Sequence, residues 1–129
     1  MKTLVTGGGG FLGRYMVEAL QAQGHDVAVL CRGEYPFLRQ QGVQLIQADL
    51  ADADAVSQAC QGIERVFHVA SKTGPWGRYA DFHRTNVQGT RNLIDACHAN
   101  DVHKLIYTSS PSAVIGFADL CNANEQTPY

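Results

Sequence analysis

Thr6-Gly7-Gly8-Gly9-Gly10-Phe11-Leu12-Gly13 follows a short apolar run, Leu4-Val5, and opens a segment of helix length. Gly8, Gly10 and Gly13 satisfy G-x-G-x-x-G, while Gly7, Gly10 and Gly13 satisfy G-x-x-G-x-x-G. Residues without a Cβ let the turn close tightly and let backbone approach a ligand. The helix that follows offers unpaired N–H groups and a partial positive charge. A strand, this turn and a helix in that order make an anion cradle suited to the pyrophosphate of a dinucleotide. A Walker-type loop needs Gly-Lys-Ser/Thr at the helix start, and Arg14 follows Gly13 instead, which removes the nucleoside-triphosphate reading.

Outward from this turn, strand-length apolar runs alternate with amphipathic helix-length segments. That alternation predicts an α/β fold, a Rossmann-type doubly wound parallel sheet with helices on both faces. Strands are expected at 2–6, 26–31, 43–48, 65–69 and 104–108. Helices are expected at 11–23, 35–41, 52–60 and 79–100. In the first helix Phe11, Leu12, Tyr15, Met16, Ala19 and Leu20 recur at helical spacing, and Gly24 closes it. Gly74-Pro75-Trp76-Gly77 breaks regular structure before the longest helix. Val114-Ile115 could form one more short strand, and 122–129 is polar without periodicity.

Composition sets the limits of function. The 129 residues fit one domain over 1–129, and 45% apolar with 17% charged residues describes a chain that buries a core. A net charge of −2 without a Lys/Arg run gives no footprint for nucleic acid or an anionic membrane surface. Cys31, Cys60, Cys97 and Cys121 lack the spacing of a zinc site or a redox dithiol and read as buried thiols, so no metal is expected. No signal-peptide core and no membrane-length apolar run is present, which places the chain in the cytoplasm by expectation.

The end of the second strand bears on the choice of dinucleotide. A carboxylate there accepts from a ribose 2′-hydroxyl and repels a 2′-phosphate. Leu30-Cys31-Arg32-Gly33 has none, and Arg32 could pair a phosphate through its planar fork, which favours NADP over NAD. Arg32 as a solvated surface arginine is the alternative, and Glu34 could still serve the ribose.

Taken in order, five segments resemble the extended short-chain dehydrogenase/reductases, the NAD-dependent epimerase/dehydratase superfamily. They are the glycine turn, Ala48-Asp49-Leu50, Phe67-His68-Val69-Ala70-Ser71, Thr85-Asn86-Val87-Gln88-Gly89-Thr90 and Tyr107-Thr108-Ser109-Ser110. With Trp76-Gly77 and Pro111-Ser112, the set looks most like the 3β-hydroxysteroid dehydrogenase branch, which includes sterol-4α-carboxylate dehydrogenases and bacterial 2-alkyl-3-oxoalkanoate reductases. The resemblance implies hydride exchange between a nicotinamide and a secondary alcohol or ketone, on a small-molecule substrate that is bulky and apolar. It implies that Gly7, Gly10, Phe11, Leu12 and Gly13 line the cofactor, with Arg32, that Asp49 and Leu50 meet the adenine, and that Val69, Ala70, Ser71 and Asn86 line the crevice. Ser110 is then the catalytic serine, with Ser109 as its alternative. Each has a plainer use: Asp49 as a helix cap together with Asp52, Val69 as strand packing, the serines as strand terminators. His68 reads as a hydrogen-bonded core histidine.

The family's proton donor is a tyrosine four residues before a lysine, and no such pair occurs here. The expectation is therefore the N-terminal part of a longer enzyme, without its substrate-binding part and inactive alone. Exposed apolar surface would then favour self-association. Two other readings stay open: a non-catalytic dinucleotide-binding regulatory protein, and a sugar-nucleotide epimerase or dehydratase.

Overall fold

A computed structural model of the chain describes residues 1–114 and 123–128. Five parallel strands, β1 (Lys2–Thr6), β2 (Asp26–Cys31), β3 (Gln44–Gln47), β4 (Arg65–His68) and β5 (Lys104–Tyr107), form one sheet in the order β3-β2-β1-β4-β5. The chain builds outward from β1 to β3, then crosses back to add β4 and β5 on the other side of β1. The strand order therefore reverses at β1, and a crevice opens at the carboxyl ends of β1 and β4, the place where Rossmann-type sheets take ligands.

Both faces of the sheet are covered, so its strands are apolar on both sides, and the period of two sorts residues between two cores. Leu4, Ala28, Leu30 and Val66 pack with helices α3 (Ala53–Ala59) and α5 (Gly89–Ala99). Val5, Val27, Val29 and Cys31 pack with α1 (Phe11–Ala22) and α2 (Pro36–Gln40). Leu4 and Val5 are both fully buried although adjacent. Truncating Leu4 to alanine would remove about 2–5 kcal/mol by lost transfer energy and an unfilled cavity. Cys31, Cys60 and Cys97 are buried thiols. Cys60, hydrogen-bonded to Cys97 and desolvated, is held above its ordinary pKa and stays protonated.

The apolar stripe expected on α1 is rotated. Gly13, Val17 and Leu20 face the sheet, whereas Phe11, Leu12 and Tyr15 are 84%, 46% and 58% exposed. The close seat of Gly13 on the glycine turn fixes the roll of the helix and leaves Phe11 and Leu12 at the crevice mouth. The long helix expected over 79–100 is one helical path in three parts, α4 (Tyr79–Phe82), a π-wound turn (His83–Gln88) and α5. A π turn holds an extra residue and shifts the phase of everything after it. Strand ends also differ by a residue from the pattern: β4 stops at His68 because the Val69 and Ala70 amides turn to the Thr6 hydroxyl. After β5, Ser110 caps a 3₁₀ turn (Pro111–Ala113). Val114 lies in a turn, while residue 115 of the expected short strand, and Cys121, fall outside the described residues.

Three helices stop in the same way, with a left-handed residue whose N–H and that of its successor return to the last turn. Gly24 and Gly42 do this for α1 and α2, and Asp101, at φ 53°, does it for α5. Asp101 accepts a conformation that costs a side-chain-bearing residue energy. Asp101→Gly is therefore expected to stabilise the fold by about 0.5–1 kcal/mol, measured as an increased urea midpoint at unchanged slope.

Candidate functional site: a crevice at the carboxyl ends of the strands

Three glycines of the turn differ in why no side chain stands there. Gly7 has φ 73°, and a Cβ would lie 2.8 Å from the Ala70 Cα. At Gly13 a Cβ would collide with the Gly7 carbonyl oxygen. Those two positions are glycine because backbone meets backbone. At Gly10 the nearest atom to a Cβ is the Gly7 oxygen at 3.4 Å, and the remaining space is open crevice. Gly10 also supplies no side-chain cap to α1, so the helix N-terminus opens on this space without a side-chain partner.

The crevice has a volume of about 1130 Å³. Gly7, Gly10, Phe11, Leu12 and Gly13 line its centre, Arg32 the β2 side, and Asp49 and Leu50 the β3 side. Val69, Ala70, Ser71, Asn86, Ser109 and Ser110 line the side of β4 and β5. The structure thus brings every sequence-predicted site residue to one cavity. Tyr35, Lys72, Thr73, Tyr107 and Thr108 also line it, and sequence reasoning gave none of them a role there. For Lys72 a signal existed: it is the one charged residue in the run from Ser71 to Gly77.

Beneath the crevice floor a chain of hydrogen bonds fixes the geometry. The Thr6 hydroxyl accepts from the amides of Val69 and Ala70, both at 3.2 Å, and so has its proton free for His68 Nδ1 at 2.7 Å. His68 therefore carries its own proton on Nε2, which it donates to the Thr90 hydroxyl at 2.9 Å. Thr90 in turn donates to the Asn86 carbonyl at 2.7 Å. Burial lowers the His68 pKa to about 4, so the imidazole is neutral. A neutral, doubly bonded ring with 1% exposure is the core histidine that its isolation from carboxylates suggested.

The helix running through the π turn reaches both the loop after β4 and the turn after β3. The Asn86 side chain accepts from the Lys72 amide at 2.7 Å and donates to the Lys72 carbonyl at 2.9 Å, which staples the loop after β4. Gly89 lies where a Cβ would be 2.8 Å from the Leu50 Cβ, and Asn92 donates to the Leu50 carbonyl at 2.9 Å. Arg84 pairs with Asp49 at 3.1 Å. Asp49 does not share the capping of α3. Its carboxylate accepts from the Ala51 amide within its own turn, and Asp52 alone caps, accepting from the Ala55 amide. Ser110 accepts from the Ser112 amide at 3.2 Å, so its hydroxyl proton remains available to the crevice.

Among the described residues no group of three or more His, Cys, Asp or Glu side chains converges on a metal-sized site, and no helix is long and apolar enough to cross a membrane. The family model of the 3-beta hydroxysteroid dehydrogenase/isomerase family matches residues 4–129, and the chain belongs to that family. A 2-alkyl-3-oxoalkanoate reductase of Stenotrophomonas maltophilia is 49% identical over 112 residues, 87% of this chain and 34% of that protein. The human decarboxylating sterol-4-alpha-carboxylate 3-dehydrogenase is 38% identical over 130 residues, 97% of this chain and 33% of that protein. The crystal structure of Thermus thermophilus UDP-glucose 4-epimerase in complex with NAD superposes with a TM-score of 0.83 at 32% identity, over 99% of this chain and 44% of that one. The chain spans about a third of the length of the curated relatives it matches.

Gly10→Ala is expected to leave the urea midpoint close to wild type while weakening dinucleotide binding at least tenfold. Gly13→Ala should lower stability by about 1–3 kcal/mol through overpacking. Fluorescence titration and urea unfolding separate the two effects.

Because the folded His68 pKa of about 4 lies below the value of about 6.5 in an unfolded chain, the unfolded state takes up the proton first. His68 therefore stabilises the fold fully above about pH 6.5, and that contribution falls by about 3 kcal/mol as the pH drops to 4. His68→Gln should flatten this part of the stability profile, which chemical denaturation across the range will show.

Proposed function

We propose that this chain is the cofactor-binding portion of an NADP(H)-dependent oxidoreductase. The reaction exchanges a hydride between the nicotinamide and a secondary alcohol or ketone that carries a carboxylate and apolar chains. One observation carries the reading: a single crevice joins an open phosphate seat at Gly10 to an available serine hydroxyl at Ser110. The relative named as an oxoalkanoate reductase supports the substrate class.

Arg32 supports the phosphate-bearing cofactor. β2 ends on Cys31, whose thiol donates to the Gly33 carbonyl at 3.2 Å, so no carboxylate stands there to repel a 2′-phosphate. Glu34, the nearest acid in the sequence, faces Arg39 at 3.6 Å. Among the described residues Arg32 has no salt-bridge partner and lines the crevice. Bound there, the nicotinamide supplies the hydride acceptor or donor. The chain's residues orient it: Gly7, Gly10 and Gly13 shape the seat, Asn86 fixes the loop after β4, and Ser110 donates to the oxygen on which charge develops. No Tyr-x-x-x-Lys pair lies within the 129 residues, so proton transfer is not assigned to this chain.

For the full-length gene product, NADPH should bind more tightly than NADH. Arg32→Ala should weaken NADPH about 10- to 100-fold, the range of a charge-assisted bond, while changing NADH little. Equal losses for both cofactors would falsify the phosphate assignment. Net consumption of NADPH by a ketone supports the oxidoreductase. Retained cofactor without net oxidation points to an epimerase, and binding without any turnover to a regulatory protein.

A further inference from the structure

We propose that Lys72 binds the carboxylate of the substrate, an assignment that rests on the acid-bearing substrate class proposed above. Lys72 lines the crevice on the side of β4 and β5, together with Ser109 and Ser110. Arg32 lines it past β2, and β1 lies between β2 and β4 in the sheet. The glycine turn after β1 therefore separates the two cations. Arg32 stands on the β2 side, and Lys72 belongs to the wall that carries Ser109 and Ser110, within reach of the half of the crevice left for the reacting groups.

The loop is built to hold this side chain still. Asn86 grips the Lys72 backbone through both its amide and its carbonyl. The ammonium lies 5.3 Å from the centre of the Phe82 ring, and the same ring packs against Gly77, where a Cβ would be 2.7 Å from Phe82 Cε2. Phe82 is thus the pillar round which residues 72–77 fold, and Gly77, at φ 153°, is the residue that lets them. A cation ordered in advance loses less freedom on binding, which favours recognition over nonspecific attraction.

Among the described residues no carboxylate lies within salt-bridge distance of Lys72: Asp49 pairs with Arg84, and Asp81 with Arg78. No acid occurs between Ser71 and Gly77. Lys72 is half-buried with its ammonium against an aromatic face, and it gains from a carboxylate that enters the crevice. In a 3-oxo acid that carboxylate is separated from the reacting carbonyl by a single carbon, so the cation must share a cavity with the serine that meets the carbonyl oxygen, as Lys72 does.

The test compares NADP-dependent oxidation of a 2-alkyl-3-hydroxyalkanoic acid with that of its methyl ester, in the full-length gene product. Lys72→Met should lower kcat/KM for the acid about 10- to 100-fold, and that for the ester no more than about twofold. NADPH affinity should be unchanged by fluorescence titration, and Lys72→Arg should restore most of the acid's advantage. Equal losses on acid and ester, or a matching loss of NADPH affinity, overturn the assignment. If wild-type enzyme oxidises neither compound, the dehydrogenase reading fails by itself, and the carboxylate site is read by binding. The Kd of the acid for the NADPH-loaded protein must then weaken in Lys72→Met by the same factor, and an equal Kd in the two proteins overturns it.

Discussion

A single hydroxyl holds the crevice together. Thr6, the last residue of β1, accepts the first two amides beyond β4 and donates to His68, so one oxygen ends one strand and orients the ring of another. Without it, those part-buried amides would lose their partner, each costing about 1–3 kcal/mol. Ala70, held in this way, is the surface against which Gly7 packs. The close approach of the glycine turn to β4 is therefore fixed from both sides, by absent side chains above and a threonine hydroxyl below.

The helix from Tyr79 to Ala99 has a corresponding role on the other side. Its residues do not merely cover the sheet: Asn86 fixes the loop after β4, Thr90 meets His68, and Gly89 and Asn92 meet the turn after β3. One element thus spaces two turns that lie on opposite sides of β1. The π-wound segment contains Asn86 and precedes Gly89 and Asn92, the residues that contact Leu50, and the extra residue it accommodates changes the direction in which the later side chains point. Rigid positioning of a site from a helix and strand ends is more exact than positioning from loops alone.

Much of this was legible in the sequence, and the misses have physical causes. Element type and the parallel, doubly wound sheet follow from the alternation of apolar runs with amphipathic ones, because strands covered on both faces are apolar on both sides; the strand order came from the structure. The glycine turn was legible because its residue types answer a steric demand. The orientation of α1 was not, since periodicity finds a stripe but cannot weigh Phe11 against Gly13, and a backbone contact invisible to hydropathy decided it. The π turn left no mark on an apolar count. Asp49 carries the same carboxylate whether it caps a helix, closes its own turn or pairs with Arg84, and only the distances separate those uses. Lys72 was passed over because a lone lysine in a glycine-rich loop looks solvated until Asn86 and Phe82 are seen around it.

The hydrogen bonds under the crevice run one way only. Thr6 cannot reverse, because its oxygen already receives two amides, and the Asn86 carbonyl at the far end can only accept. Four groups in series thus share one proton arrangement, with dipoles aligned head to tail and each polarising the next. The imidazole then has a single tautomer, and its Nε2 proton is shielded from exchange with water. His68 is in effect a resident spectroscopic probe: loosening of the crevice floor would register in that one proton's resonance while both cores on either side of the sheet remain packed.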